Sequence, residues 1–124
     1  MANVFTGLSR AIQNADGATI VNNTFYNNAN VFYSGSATTI GTLKNNIFYD
    51  ITTLYDGVSA PAGASNNLTT DPAFVNASSG DFSLQSTSDA IDAGTELAYY
   101  LYDIEGTTIP QGGVTDIGAY EYTP

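Results

Sequence analysis

One short phrase that returns at nearly regular spacing constrains this chain more than anything else in it. Ile20-Val21-Asn22-Asn23-Thr24-Phe25-Tyr26-Asn27 recurs as Thr42-Leu43-Lys44-Asn45-Asn46-Ile47-Phe48-Tyr49-Asp50. A third, degenerate copy is Ala64-Ser65-Asn66-Asn67-Leu68-Thr69. The Asn-Asn pairs begin at 22, 45 and 66, and shorter aromatic stretches precede them at Asn3-Val4-Phe5, Asn30-Val31-Phe32-Tyr33 and Thr53-Leu54-Tyr55. A period in the low twenties suits a stacked repeat in which each unit supplies two or three short strands joined by turns.

Parallel stacking sets equivalent residues about 4.8 Å apart. Phe25 then lies over Phe48, with Thr24, Ile47 and Leu68 in the next column. Aromatic and branched side chains favour such columns because each covers the layer above and below it. A recurring Asn can donate to one neighbour and accept from the other, and it tolerates the left-handed backbone of a sharp turn. Asn22, Asn23, Asn45, Asn46, Asn66 and Asn67, with Phe25 and Phe48, are therefore the expected structural ladder. An ordinary antiparallel sandwich, in which Asn-Asn merely marks turns, is the competing reading; the repeated Asn-Asn-x-Phe-Tyr favours the stack.

Composition agrees with an all-β chain. Of the 124 residues 43% are apolar, with nine Tyr and six Phe, while only 11% are charged. The polar surface must come from Asn, Thr, Ser and Gly, which favour turns and strands over helix. Two basic residues, Arg10 and Lys44, stand against twelve acidic ones, for a net charge of −10. Such a balance disfavours nucleic acid and anionic membranes as partners. Without His or Cys, the commonest general base, thiol nucleophiles, disulfides and zinc–thiolate sites are excluded. No apolar run is long enough to span a bilayer. Residues 2–10 have neither the charged start nor the apolar stretch of a signal peptide, and the expectation is a sequence that begins within a longer protein.

Beyond Thr70 the rhythm changes. Asp71-Pro72-Ala73-Phe74-Val75-Asn76 reads as a turn into a strand, and Gly80-Asp81-Phe82-Ser83-Leu84-Gln85 as a half-buried strand. Ser88-Asp89-Ala90-Ile91-Asp92-Ala93-Gly94 reads as a helical turn or tight loop, and residues 96–102 as a brief helix or an insertion. Asp116-Ile117-Gly118-Ala119-Tyr120-Glu121-Tyr122 reads as a final strand. These four motifs (71–76, 80–84, 88–94 and 116–122) resemble the C-terminal end of the pectate-lyase-like superfamily, the choice-of-anchor Q type. One departure is Ile109-Pro110-Gln111, where many relatives carry Arg-Pro-Gln.

The resemblance implies a right-handed parallel β-helix (solenoid) segment with an irregular C-terminal cap. It would form a single domain over 1–124, with coils to about residue 70 and the final coils and cap over 71–124. It also implies a secreted or cell-surface setting. The expected function is a non-catalytic β-helix scaffold segment. The alternative is the tail of a polysaccharide lyase or glycoside hydrolase whose active site lies upstream. Expected partners are further coils, another copy of the chain, or a polysaccharide.

Candidate chemistry is sparse. Lyase chemistry needs a Lys or Arg base, and Lys44 and Arg10 are the only ones present; a solvated charge is the simpler role for each. Glycosidase chemistry needs two carboxylates about 5–9.5 Å apart. Asp50, Asp56, Asp81, Asp89 and Asp92 mostly sit in turn contexts instead. Asp103-Ile-Glu-Gly106 has some carboxylate density but lacks the alternating oxygen ligands of a calcium loop, so no cofactor is expected. Tyr26 and Tyr49, following the inward phenylalanines, with Tyr33 and Tyr55, form a candidate glycan platform. The sequons at Asn22, Asn67 and Asn76 would permit glycosylation.

Overall fold

The structure is a computed structural model that describes residues 2–124; Met1 lies outside the described residues. Eight strands and one 3-10 turn follow one another: β1 (Val4–Thr6), β2 (Arg10–Gln13), β3 (Thr19–Val21), β4 (Thr24–Thr39), β5 (Thr42–Lys44), β6 (Ile47–Ser59), β7 (Phe74–Asn76), the 3-10 turn at Ala77–Ser79, and β8 (Asp81–Leu84). The long strand β4 pairs in parallel with β1 and β2 and with β6; β3 pairs in parallel with β5, and β7 pairs antiparallel with β8.

The chain is thus all-β, built from three small open sheets of mixed parallel and antiparallel pairing. The right-handed parallel β-helix expected above is not what it forms: the sheets do not curl round to close a solenoid. The reason lies in how soon the repeat fails. Parallel layers form at β1 with β2, at β4 and at β6, but the copy at Asn66-Asn67 contributes just the isolated bridges Lys44↔Ser65 and Ile47↔Leu68. Beyond residue 70 the pairing turns antiparallel, and Asp116–Tyr122, expected as a strand, runs as irregular backbone with Gly118 at a φ of 105°. The resemblance to the pectate-lyase-like, choice-of-anchor Q tail falls with the solenoid. So do the two functions drawn from it, the β-helix scaffold segment and the tail of a polysaccharide-degrading enzyme.

Within the sheets the register is regular. Phe5 pairs with Phe25 and Phe25 with Phe48, and the rings stack at centroid distances of 4.7 and 5.1 Å. Phe32 meets Phe25 and Phe48 edge-on at 5.8 Å. With Ile20 of β3 and Leu43 of β5 these rings form the main core. The first Asn of each pair adopts the left-handed region, with φ of 52°, 56° and 52° at Asn22, Asn45 and Asn66. Asn27 and Asp50 do the same at the next corner, turns that an Asn or Asp backbone accepts at low cost.

The second Asn of each pair supplies the side-chain series. The Asn46 Oδ1 accepts from the backbone N–H (3.0 Å) and Nδ2 (3.1 Å) of Asn23. Its own N–H and Nδ2 donate to Asn67 Oδ1 at 3.0 and 2.9 Å. Asn3 extends the series by donating to Asn23 Oδ1 at 3.3 Å.

The first Asn of each pair ties down the C-terminal third of the chain. Asn22 Nδ2 donates to the Asp116 carbonyl, Asn45 Nδ2 to that of Thr95, and Asn66 Nδ2 to that of Ala93. A second apolar cluster forms beneath the β7–β8 hairpin, where Ile47, Phe74, Phe82, Leu84 and Ile117 meet.

Candidate docking face

Three consecutive strands leave an edge open. The outer edges of β1, β2 and β3 pair with nothing among the described residues. Phe5 and Ile12 lie half-buried at this end of the core, with Ile20 beside them, and a depression of about 310 Å³ opens there, reaching Tyr99. Unpaired N–H and C=O groups in a row template the addition of another strand.

Beside this edge runs an irregular strap. Its turn is closed by the Asp103 N–H donating to the Thr107 carbonyl and the Ile109 N–H donating to that of Leu101. Tyr99, Leu101, Tyr102 and Ile104 are 67, 57, 57 and 40% exposed, an unusual cluster of large apolar side chains. Single exposed apolar residues need no explanation, but contiguous ones mark contact surfaces. A cavity of about 710 Å³ lies between the strap and Ala2 and Val21. Tyr100, on its wall, is nine-tenths buried, and its hydroxyl has no hydrogen-bond partner among the described residues. An unmet buried hydroxyl costs about 1–3 kcal/mol. Burial pushes this phenol well above its ordinary range, with Asp103 and Glu121 adding to the effect.

Buried carboxylates hold the strap in place. Asp103 Oδ1 accepts from the N–H groups of Glu105 (2.9 Å) and Thr107 (2.8 Å), and its Oδ2 from that of Glu121 (3.0 Å). Glu121 accepts in turn from the N–H groups of Gln111 (2.8 Å) and Asp116 (3.0 Å). Asp116 accepts from those of Asp92 (2.8 Å) and Tyr122 (2.6 Å). Burial raises the carboxyl pKa of Asp116 and of Glu121, outweighing the hydrogen bonds that pull both down. Sequence reasoning missed this run. Its signal was three acidic residues set in or beside apolar stretches, Asp103-Ile, Asp116-Ile and Tyr-Glu121-Tyr.

The four tyrosines of the expected glycan platform divide into two groups. Tyr26 and Tyr49 lie half-buried on one face, their ring centroids 6.1 Å apart, and Tyr26 packs against Phe74 and Phe82 of the hairpin. Asp71 beside the Tyr49 hydroxyl raises its pKa. Tyr33 carries the Arg10 guanidinium 3.8 Å above its ring. Tyr55 is 37% exposed and stacks on Phe32 at 5.7 Å. Those two lie on β4 and β6, with Tyr33 registered against Asp56, the neighbour of Tyr55.

The candidate catalytic groups stay apart in role. Lys44 sits half-buried in β5, and its backbone carbonyl accepts from Asn22 and Asn46. Among the carboxylates, Asp56 accepts from Asn30 at 3.3 Å, Asp81 from Ser83, and Asp92 from the backbone of Gly113 and Val114. Asp50 occupies a left-handed corner, and Asp89 is exposed in a turn. The oxygens of Asp103, in the segment weighed for calcium, are engaged by backbone N–H groups. No group of three or more acidic side chains arranged to hold a metal occurs among the described residues. No protein-family model matches the chain, and neither does any curated protein or solved structure compared with it.

Proposed function

We propose that this chain is a homotypic docking module, which binds a second copy of itself through the open edge of β1, β2 and β3 and the adjoining strap. The observation that carries the reading is the contiguity of unpaired strand edge, half-buried Phe5 and Ile12, and exposed Tyr99, Leu101, Tyr102 and Ile104 on one face. Proteins that avoid edge pairing place Lys or Pro on such strands, and β1, β2 and β3 contain neither. The charge distribution favours a second copy as well. These three strands carry only Arg10, so edge-to-edge docking brings no carboxylates of the strands together, while Glu105 on the adjoining strap adds a local repulsion. The two whole molecules still repel, and salt screens that repulsion.

Sedimentation equilibrium tests the proposal. Self-association is expected, and it tightens as salt is raised. Tyr99→Ser with Leu101→Ser is expected to weaken it about tenfold or more, about 1.4 kcal/mol, while leaving the urea midpoint unchanged because both side chains are solvent-facing. A monomer at every concentration and salt would remove the proposal.

A second reading, contact with a polysaccharide, is supported by the exposed Tyr55 ring, beside Tyr33 and its Arg10. Sugar rings pack on such faces, and Tyr55→Ala is expected to abolish any glycan-array signal; a signal unchanged by the substitution excludes the site. A secreted or cell-surface setting goes with either proposal and is checked by fractionating cells that express the native gene.

A further inference from the structure

We propose that copies of this chain dock head to tail: the outer edge of β6 in one copy receives the open edge of β1 and β2 of the next, strand parallel to strand. The inference rests on the docking reading above and names the surface that the open edge meets.

A second bare edge lies at the far side of the same sheet. Among the described residues β4 is the one strand that β6 pairs with. Beyond β6 the chain returns to it at the Ile47↔Leu68 bridge, where the Phe48 N–H donates to the Leu68 carbonyl. From Tyr49 to Ser59 the outer edge pairs with no strand among the described residues. It holds neither Lys nor Pro, the residues that guard such edges against another chain.

The two edges match in register. Ile12 is set against Phe32, and Phe32 against Tyr55. The Tyr55 ring stacks on Phe32 at 5.7 Å and is 37% exposed, while Ile12 lies half-buried at the opposite end of that column. One further parallel step of about 4.8 Å lays Ile12 of the next copy on the bare side of Tyr55, with the half-buried Leu54 beside it. Each column end then takes the other out of water.

Charge separates this arrangement from a two-fold pair. The edge of β1 and β2 carries Arg10, and β6 carries Asp50 and Asp56 without a basic residue. Arg10 and Thr53 share the register position of Asn30, and Asp56 lies three residues farther on, at the position of Tyr33. Arg10 already spans one layer and that same offset, since its guanidinium sits 3.8 Å above the Tyr33 ring. Asp56 of the neighbouring copy is therefore within its reach. A two-fold pair would instead bring two Arg10 edges together and leave the β6 edge bare on both copies. A contact between two different surfaces does not close on itself, and a repeated parallel step builds an open chain of copies.

Sedimentation of the full chain across concentration, in high salt so that overall repulsion is screened, tests the arrangement. The native weight-average mass is expected to pass twice that of one chain and keep rising. Thr52→Lys with Asp56→Lys, both at exposed positions of β6, is expected to weaken association about tenfold or more. Tyr99→Ser with Leu101→Ser does the same from the other face. Mixed in equal amounts, the two variants are expected to form one heterodimer of about native strength, because each supplies the face that the other lacks. That recovery also shows both to be folded. A native mass that levels off at twice one chain, a β6 variant that associates like the native protein, or a mixture no stronger than its components overturns head-to-tail docking while the docking reading stands. A native chain that associates at no concentration removes both.

Discussion

Phe25→Ala will destabilise this protein by about 3–5 kcal/mol, the range for emptying an aromatic core site. The ring is fully buried and touches three others: Phe5 and Phe48 stack on its two faces, and Phe32 meets it edge-on. Such pairs add about 0.5–1.5 kcal/mol each beyond the area they bury. Neighbours on both sides are fixed by strand pairing at Phe5↔Phe25 and Phe25↔Phe48, so the cavity has little room to collapse. Against a total stability of about 5–15 kcal/mol for a domain, the substitution removes much of the margin. Urea unfolding followed by circular dichroism gives the number. Phe5→Ala, at the half-buried end of the same stack, is expected to cost about half as much by that measurement. Equal costs would mean that the stack does not depend on layers on both sides.

Asn46→Ala has the second large effect, about 3 kcal/mol or more, and its cause is polar. The Asn46 amide donates to the carbonyls of Ile20 and Lys44 and to Asn67 Oδ1, while its oxygen accepts from the N–H and Nδ2 of Asn23. Truncation leaves the buried N–H of Asn23 and the Ile20 carbonyl without that partner. Each such loss costs about 1–3 kcal/mol. Asn66→Ala removes an exposed amide that bonds Ala93 and Thr95; water replaces those bonds, the left-handed φ of 52° that Asn tolerates and Ala resists adds strain, and a total cost of about 1–2 kcal/mol is expected. Comparing the two urea midpoints separates the ladder position from the turn position. A small effect at Asn46 would show that water or a neighbour takes over its bonds.

The two asparagines of each pair show what could be read from the sequence. The recurring spacing set Phe25 against Phe48 and the Asn pairs against one another, because register depends on side-chain repeats that are local and visible. The division of labour was not visible: the first Asn turns the backbone and grips the C-terminal segment, and the second builds the side-chain series. Closure was not visible either. Whether stacked strands curl into a solenoid depends on how many full layers follow, and the copy at Asn66-Asn67 supplies two bridges in place of a strand.

The C-terminal third misled for a different reason. Asp116–Tyr122 alternates as a strand should, yet its backbone is folded on its own carboxylates, with Asp116 and Glu121 accepting from N–H groups inside the segment and a positive φ at Gly118 in its middle. Its other partners, the Asn22 amide, the Thr24 hydroxyl, the Asn45 and Ala90 carbonyls and the Asp103 carboxylate, come from elsewhere in the sequence. The strap was likewise undetermined in type, since tyrosines and leucines over residues 96–102 fit a short helix as well as the exposed loop observed. The docking role proposed for it depends on sitting beside an edge formed by strands between Val4 and Val21.

Residue-resolved amide hydrogen exchange, measured at low and high protein concentration in high salt, tests the docking face most directly. At high concentration added protection should concentrate in Val4–Thr6, Arg10–Gln13 and Thr19–Val21 and in the strap around Tyr99–Ile104, with the amides of β7 and β8 unchanged. Protection that does not depend on concentration, or that gathers on the β7–β8 hairpin, would contradict the account.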